Sequence, residues 1–222
     1  MKIVALIPTL HRPEGLLRVI TSLRDTAPDV EIVVAIDPDD LQARLTARLF
    51  GAQVAVCKEA RRGCAYAWNT AMSAATDADI YVLGADDCIF TPGWLEAALH
   101  ALNTELNGSG LVGFNAKWKK TDLSFHYMMT RDFIIKHHGG VAAVPHYESW
   151  CVDSEACERA KAAGKYYKAL DSVVLHDWKG PDGDETYRIA HTRRQVNKEL
   201  YFQRLKNGFK DDFEPILRKQ DR

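Results

Sequence analysis

Residues 3–23 read IVALIPTLHRPEGLLRVITSL. Residues 3–7 form a short unbroken apolar run, the pattern of a strand buried on both faces. Pro8 and Thr9 end it. Pro13 then stands where a first helical turn begins, a place where the missing proline N–H costs nothing. Leu16, Leu17, Ile20 and Leu23 follow at helical spacing. A buried strand, a polar turn and an amphipathic helix together make the first half of a βα unit.

The alternation continues outward from this stretch. Residues 31–36 read as a second strand, ended by Asp37-Pro38, and residues 39–50 as a helix with Leu41, Leu45 and Leu49 on one face. A strand over 53–57, an Ala-rich helix over 63–75 and a strand over 80–83, ended by Gly84, come next. A helix over 92–106 turns Trp94, Leu95, Ala98, Leu99 and Leu102 inward. Such βα repeats predict a parallel sheet with helices on both faces and right-handed crossovers. The second half is less regular: a strand over 111–115, a mixed region over 117–150, and a helix over 154–163 capped by Asp153 or Ser154. A strand over 173–175 and a long amphipathic helix over 185–206 close the chain. There is no repeat and no linker. The expectation is an α/β fold with one Rossmann-like, mostly parallel sheet flanked by helices and a helical C-terminal tail. Residues 1–184 would form the domain, with a nucleotide-binding half over 1–110 and an acceptor half over 111–184, and residues 185–222 the extension.

The chain has 222 residues with 46% hydrophobic and 27% charged positions, which excludes disordered and fibrous classes. Lys+Arg 29 against Asp+Glu 30 leaves a formal net charge of -1, so no overall field drives it onto nucleic acid or an anionic membrane. The exception is residues 188–222, with ten Lys/Arg against five Asp/Glu, read as a solvated helical tail with a membrane-peripheral role left open. The cysteine count, 5, is odd and holds no CxxC pair, which argues against a disulfide framework and for a reducing, cytoplasmic setting. No apolar run approaches about 18 residues, and the N-terminus has no leader pattern.

In open parallel sheets, ligands bind beyond the carboxyl ends of the strands. Polar residues gather there three times: Thr9, His11 and Arg12; Asp37, Asp39 and Asp40; Asp86 and Asp87. Two adjacent carboxylates need neutralising if buried, and a hard divalent cation such as Mg²⁺ or Mn²⁺ does so while also favouring phosphate oxygens. The pair therefore points to a metal–diphosphate site, with a helix-capping turn as the structural alternative.

These residues carry a family resemblance. The stretch 4–23, VALIPTLHRPEGLLRVITSL, is similar to the opening of family 2 nucleotide-sugar glycosyltransferases of the A-type fold. So is 61–99, RRGCAYAWNTAMSAATDADIYVLGADDCIFTPGWLEAAL, with its Arg/Gly turn, Asn69, the strand, the acidic Ala85-Asp86-Asp87, Pro92 and Trp94. The stretch 150–178, WCVDSEACERAKAAGKYYKALDSVVLHDW, resembles the downstream acidic motif, where an acid precedes a helix, a Gly, a strand and a His.

The resemblance implies roles. Asp87 would bind Mn²⁺ or Mg²⁺, with His176 as a further ligand. Asp86 would meet ribose or assist the metal, and Asp37 the nucleobase. Pro8, Thr9, Arg12, Arg61, Arg62 and Asn69 would fall along the nucleotide-sugar pocket, with Arg61 or Arg62 meeting base or phosphate. Asp153 would be the general base, with Glu148 and Glu155 as neighbouring substitutes because Val152 stands where the family often has a second acid. The expected activity is metal-dependent, inverting transfer of a sugar, from a UDP-sugar by default, to a hydroxyl of a glycan, a lipid-linked sugar or a modified nucleic acid. The 117–150 region, with Trp118, Tyr127, His146, Tyr147, Glu148 and Trp150, would form the acceptor wall. A nucleotidyltransferase is the first rival, disfavoured because IPTLHRPEG has no Gly-rich phosphate run. A noncatalytic nucleotide-sugar-binding protein is the second.

Overall fold

The computed structural model describes residues 1–117, 122–180 and 183–218. The elements run β1 (Ile3–Thr9), α1 (Pro13–Thr26), β2 (Glu31–Ile36), α2 (Leu41–Leu49), β3 (Gln53–Val56), α3 (Cys64–Ser73), β4 (Ile80–Leu83), β5 (Cys88–Phe90) and α4 (Trp94–Leu106). They continue through β6 (Leu111–Asn115), β7 (Tyr127–Thr130), α5 (Arg131–His137), α6 (Val152–Ala162), β8 (Tyr166–His176), α7 (Glu185–Thr192) and α8 (Arg194–Lys206).

One sheet of eight strands, in the order β3-β2-β1-β4-β7-β6-β8-β5, divides the molecule. The β3-β2-β1-β4 half is parallel throughout. Strand β7 runs antiparallel to both β4 and β6, β8 lies parallel to β6, and β5 pairs antiparallel with β8. The sheet is thus the expected mostly parallel one, with β5 and β7 as reversed strands absent from the sequence expectation.

Strand β1 shows why its sequence is apolar throughout. Ile3, Ala5 and Ile7 point into a core with Leu16, Val19, Ile20 and Leu23 of α1. Val4 and Leu6 point into the opposite core with Ala65, Trp68, Ala71 and Met72 of α3. Alternation puts successive side chains on opposite faces, so a strand covered on both sides needs both sets apolar. Trp94 is fully buried and packs its ring 4.6 Å from Phe90 and 5.4 Å from Phe114, which fixes α4 to the β5 and β6 edge.

One element expectation holds with its packing face now assigned, and another is corrected. Leu41, Leu45 and Leu49 do share one face of α2, but it is the outer face, 64%, 61% and 80% exposed. The helix packs instead through Ala43 and Ala47, whose small side chains let its backbone lie close to the layer beneath. The helix expected over 185–206 is broken at Arg193 into α7 and α8. The C-terminal segment is also no solvated tail. Glu155 of α6, fully buried, accepts from Arg159 Nε at 2.8 Å, Arg204 Nε at 2.9 Å and Tyr147 Oη at 2.7 Å. This cluster locks α8 to α6. All five cysteines are free. Among the described residues no helix is long and apolar enough to cross a membrane.

Candidate functional site

The carboxyl ends of β1, β2 and β4 open into one cleft of about 300 Å³. Pro8, Thr9 and Arg12 line it from β1 and the turn after it, Asp37 from β2, Arg61 from the turn before α3, and Asp86 and Asp87 from the turn after β4. Asp153 faces the same cleft from the first turn of α6, and His176 from the end of β8.

Register explains this convergence. Cys88 of β5 pairs with His176 of β8, so His176 arrives beside Asp87, and Asp177 N–H donates to the Asp87 carbonyl at 2.8 Å. Leu83, the last residue of β4, pairs with Tyr127, so His126 stands just beyond that pair at the same end of the sheet. The side-chain donors of Asp87, His126 and His176 all lie within 4.8 Å of one another.

The two acids of the pair are held differently. Asp86 accepts from Thr9 Oγ1 at 2.7 Å and from Arg12 Nη1 at 2.9 Å. Burial, with the Asp87 charge beside it, pushes its carboxyl above the ordinary range despite Arg12. Asp87 is buried too, which opposes its charge, but His176, His126 and the Tyr187 hydroxyl hold it below that range. Its Oδ2 is 3.3 Å from His176 Nε2 and accepts from Tyr187 Oη at 2.8 Å, while Oδ1 is buried with no hydrogen-bond partner among the described residues. Burial lowers His126 to about 3, so its ring is neutral, and among the described residues neither ring nitrogen makes a hydrogen bond of ordinary geometry. An orphaned carboxylate oxygen and imidazole nitrogens from two rings at one point are a fit donor set for a divalent cation.

At the opposite end of the cleft, Asp37 Oδ2 accepts from the Arg61 backbone N–H at 2.6 Å. Burial raises Asp37, and the Arg61 N–H works against that rise. Gly63 has φ 89°, and a Cβ there would lie 2.0 Å from the Glu148 carbonyl oxygen. Only glycine lets this turn and the 148–150 segment close together. Asn197 of α8 fixes that segment from behind, its Oδ1 accepting from the N–H groups of Glu148, Ser149 and Trp150 at 3.2, 3.1 and 3.0 Å.

Asp153 is not the N-cap of α6. That position is Cys151, and among the described residues Asp153 Oδ1 accepts from the neighbouring Ser154, its first-turn backbone N–H at 2.9 Å and its hydroxyl at 3.5 Å, so the side chain meets one N–H at the helix start and still faces the cleft. Burial raises its carboxyl above the ordinary value. The two substitute acids are engaged elsewhere: Glu155 in the buried arginine cluster, and Glu148 in an ion pair with Arg193.

Two nucleotide-pocket candidates are not brought to the cleft. Asn69 spends its whole amide on the Ala143 backbone, donating at 2.7 Å and accepting at 3.0 Å, and so pins the 140s segment to α3. Arg62 pairs with Glu59 at the surface at 2.8 Å. The acceptor wall also differs. Tyr127 and Tyr147 are core, His146 pairs with Asp212, and Trp118 lies outside the described residues. Trp150 does line the cleft, together with Phe125, Trp178, Ile189 and Ala190.

Helix α7 supplies residues the sequence did not single out. Asp184, its N-cap, receives Arg12 Nε at 2.8 Å, and the Arg12 guanidinium lies 4.0 Å over the Tyr187 ring. Tyr187 and His126 carry no local motif; each acquires meaning only through a partner 100 or 39 positions upstream, at Asp87.

The family model described as glycosyl transferase family 2 matches residues 4–151. No curated protein matches the chain. Among solved structures, glucosyl-3-phosphoglycerate synthase from Mycobacterium tuberculosis, in complex with Mn²⁺, uridine diphosphate and phosphoglyceric acid, is similar at TM-score 0.63 and 19% identity. That likeness covers 86% of this chain and 76% of that one. A mannosyltransferase from Pyrobaculum calidifontis, in complex with GDP-Man and Mn²⁺, is similar at TM-score 0.72 and 16% identity, over 91% of this chain and 64% of that one. TarS from S. aureus is similar at TM-score 0.64 and 13% identity, over 96% of this chain and 44% of that one. At these identities the likeness is one of fold, and it is the A-type glycosyltransferase fold.

Proposed function

The chain belongs to glycosyl transferase family 2, and from that premise we propose that it moves a sugar from a nucleotide-sugar, UDP-sugar by default, to an acceptor hydroxyl with inversion. The observation that carries this reading is one cleft holding Asp37, Arg12, Asp86 and Asp87 together with Asp153. The first four suit a nucleoside diphosphate; the last suits proton abstraction.

Asp37 and the Arg61 turn would receive the base, Asp86 the ribose, and Arg12 the diphosphate charge. Asp87 and His176 would hold Mn²⁺ or Mg²⁺, which when bound offsets charge on the departing nucleoside diphosphate. Asp153 takes the acceptor hydroxyl proton as the acceptor oxygen bonds the anomeric carbon and the bond to the diphosphate oxygen breaks. Attack opposite the leaving group inverts that carbon. Both similar enzymes with bound nucleotide carry Mn²⁺ in their structures, one with uridine diphosphate and one with GDP-Man, which supports the cofactor and keeps GDP beside UDP as a donor base. Trp150, Trp178 and Phe125 offer flat apolar faces for the acceptor. A cytoplasmic setting and a glycan, lipid-linked or nucleic-acid hydroxyl as acceptor belong to the same proposal.

The test is a thermal-shift comparison of UDP, GDP, CDP and dTDP, each with Mn²⁺ or EDTA. One nucleotide is expected to raise Tm only with Mn²⁺, by the equivalent of ~2.7 kcal/mol at a hundredfold excess over Kd, and to lose the effect in Asp87→Ala. No shift with any nucleotide overturns the reading. A shift without donor turnover favours a noncatalytic binder.

A further inference from the structure

We propose that His126 is a third protein ligand of the metal, so that Asp87, His126 and His176 form a two-imidazole, one-carboxylate site selective for transition ions over Mg²⁺. The proposal rests on the metal-dependent reading above but needs neither a particular donor nor sugar transfer.

Three observations carry it. The donor atoms of the three side chains lie within 4.8 Å of one another, and an ion between them needs only small side-chain adjustment to reach each. The His126 and His176 rings are nearly perpendicular, with centroids 4.8 Å apart and an interplanar angle of 83°, so they do not stack flat and block the space between them. His126 is only 7% exposed, yet among the described residues neither ring nitrogen makes a hydrogen bond of ordinary geometry. A buried polar ring left in that state is costly in a folded protein unless something binds it. Beside it, the buried Asp87 Oδ1 is equally without a partner.

The backbone makes this arrangement durable. His126 is held on both sides: its carbonyl accepts from Phe114 N–H at 3.0 Å, and the next residue, Tyr127, is locked in register with Leu83. His176 is fixed by its pairing with Cys88. The three ligands therefore sit on β-sheet termini, rigid mounts for a metal site. Tyr187 and His176 both reach Asp87 Oδ2, while among the described residues Oδ1 has no hydrogen-bond partner.

The donor set decides the metal class. Mg²⁺ prefers oxygen ligands and retains its waters, whereas imidazole favours later first-row ions. Mn²⁺ is expected to bind at least about tenfold more tightly than Mg²⁺, and Co²⁺ more tightly than Mn²⁺.

The experiment is pulsed EPR of the full chain with Mn²⁺, with and without UDP or GDP, beside calorimetric titration with Mn²⁺, Co²⁺ and Mg²⁺. Wild type is expected to show hyperfine coupling to two imidazole nitrogens. His126→Phe, which keeps the ring volume, is expected to show one and to bind Mn²⁺ at least about tenfold more weakly. Coupling to a single nitrogen in wild type, or equal affinity for Mg²⁺ and Mn²⁺, overturns the proposal. The wild-type spectrum decides alone if circular dichroism shows that the variant does not fold. Two nitrogens with no effect of any nucleotide sustain this site and remove the glycosyltransferase reading. One nitrogen with nucleotide-dependent Mn²⁺ binding does the reverse.

Discussion

In the proposed reaction, Asp153 is where the chemistry would depend on one side chain. Among the described residues it accepts hydrogen bonds only from Ser154, it faces the cleft, and burial lifts its carboxyl above the ordinary 3.8. A base must be ionised to act, so kcat is expected to fall as pH drops through that raised value, leaving an acid limb above the ordinary aspartate range. Asp153→Asn is expected to cut turnover about 10²–10⁴-fold while leaving the nucleotide-dependent Tm shift intact. The same burial gives a stability prediction of opposite sign. A carboxyl with a raised folded-state pKa loses stability for the protein as pH rises past its unfolded value. At neutral pH Asp153→Asn is therefore expected to melt higher than wild type, measured by scanning fluorimetry across pH. Loss of both turnover and nucleotide binding would instead make Asp153 structural. The cleft position of such residues was legible because they stand at or near the ends of strands and helices: Thr9, Arg12, Asp37, Asp86, Asp87, Asp153 and His176 all line the cleft. Asn69 and Arg62 sit in the same motif but point to Ala143 and Glu59, since spacing along a turn does not say which way each side chain leaves it. His126 was invisible because its partners come from two other strand ends.

At the scale of elements, the buried charges at Glu155 do what an apolar contact does elsewhere. Glu155 on α6 is fully buried, and Arg159 and Arg204, whose side chains are each 7% exposed, converge on it. Removing one member of such a cluster leaves buried charges without a counterion, which costs roughly 3–5 kcal/mol. Glu155→Ala is expected to lose that much in urea denaturation. Burial opposes the Glu155 charge, but Arg204, Tyr147 and Arg159 together hold it below the ordinary 4.5. Its contribution is thus complete above that value and is lost as pH falls, so the gap between variant and wild type should shrink in acid. A gap unchanged between pH 7 and pH 3 would mean that the loss comes from packing alone. None of this was readable from periodicity. The apolar runs of β1, β2 and β4 identified themselves because both faces of the strand are covered. Helix α2 was legible as a helix but not in its packing face, since its leucines face out and its alanines face in. Periodicity reports which residues share a face, not which face is buried.

At the scale of the whole molecule, the question is whether the C-terminal segment is an appendage or a wall of the site. Sequence alone favoured the first, because residues 188–222 are basic and sparsely apolar. The contacts favour the second. Asn197 holds three successive N–H groups of the 148–150 segment, Arg204 reaches Glu155, and Leu217 N–H donates to the Gly140 carbonyl at 2.8 Å. Helix α8 is thus tied to the core by polar contacts that a hydrophobicity pattern does not register. Helix α7 differs. It buries no residue completely and meets the core through Asp184, Thr186, Tyr187 and Ala190, which contact Arg12, the Leu10 carbonyl, Asp87 and Trp150. Those partners line the cleft itself. The two helices should therefore separate in native-state hydrogen exchange of the full chain. Amides of α8 are expected to exchange as slowly as those of α6, within about tenfold, because both open only when the Glu155 cluster does. Amides of α7 should exchange faster and slow down when nucleotide and Mn²⁺ fill the cleft, since only then is the surface it rests on complete. Exchange of α8 at the rate of a frayed terminus would return the segment to an appendage and confine the site to residues 1–184. Equal, ligand-independent exchange of α7 and α8 would make both helices part of one rigid wall, with Tyr187 a fixed partner of Asp87 in every state of the molecule.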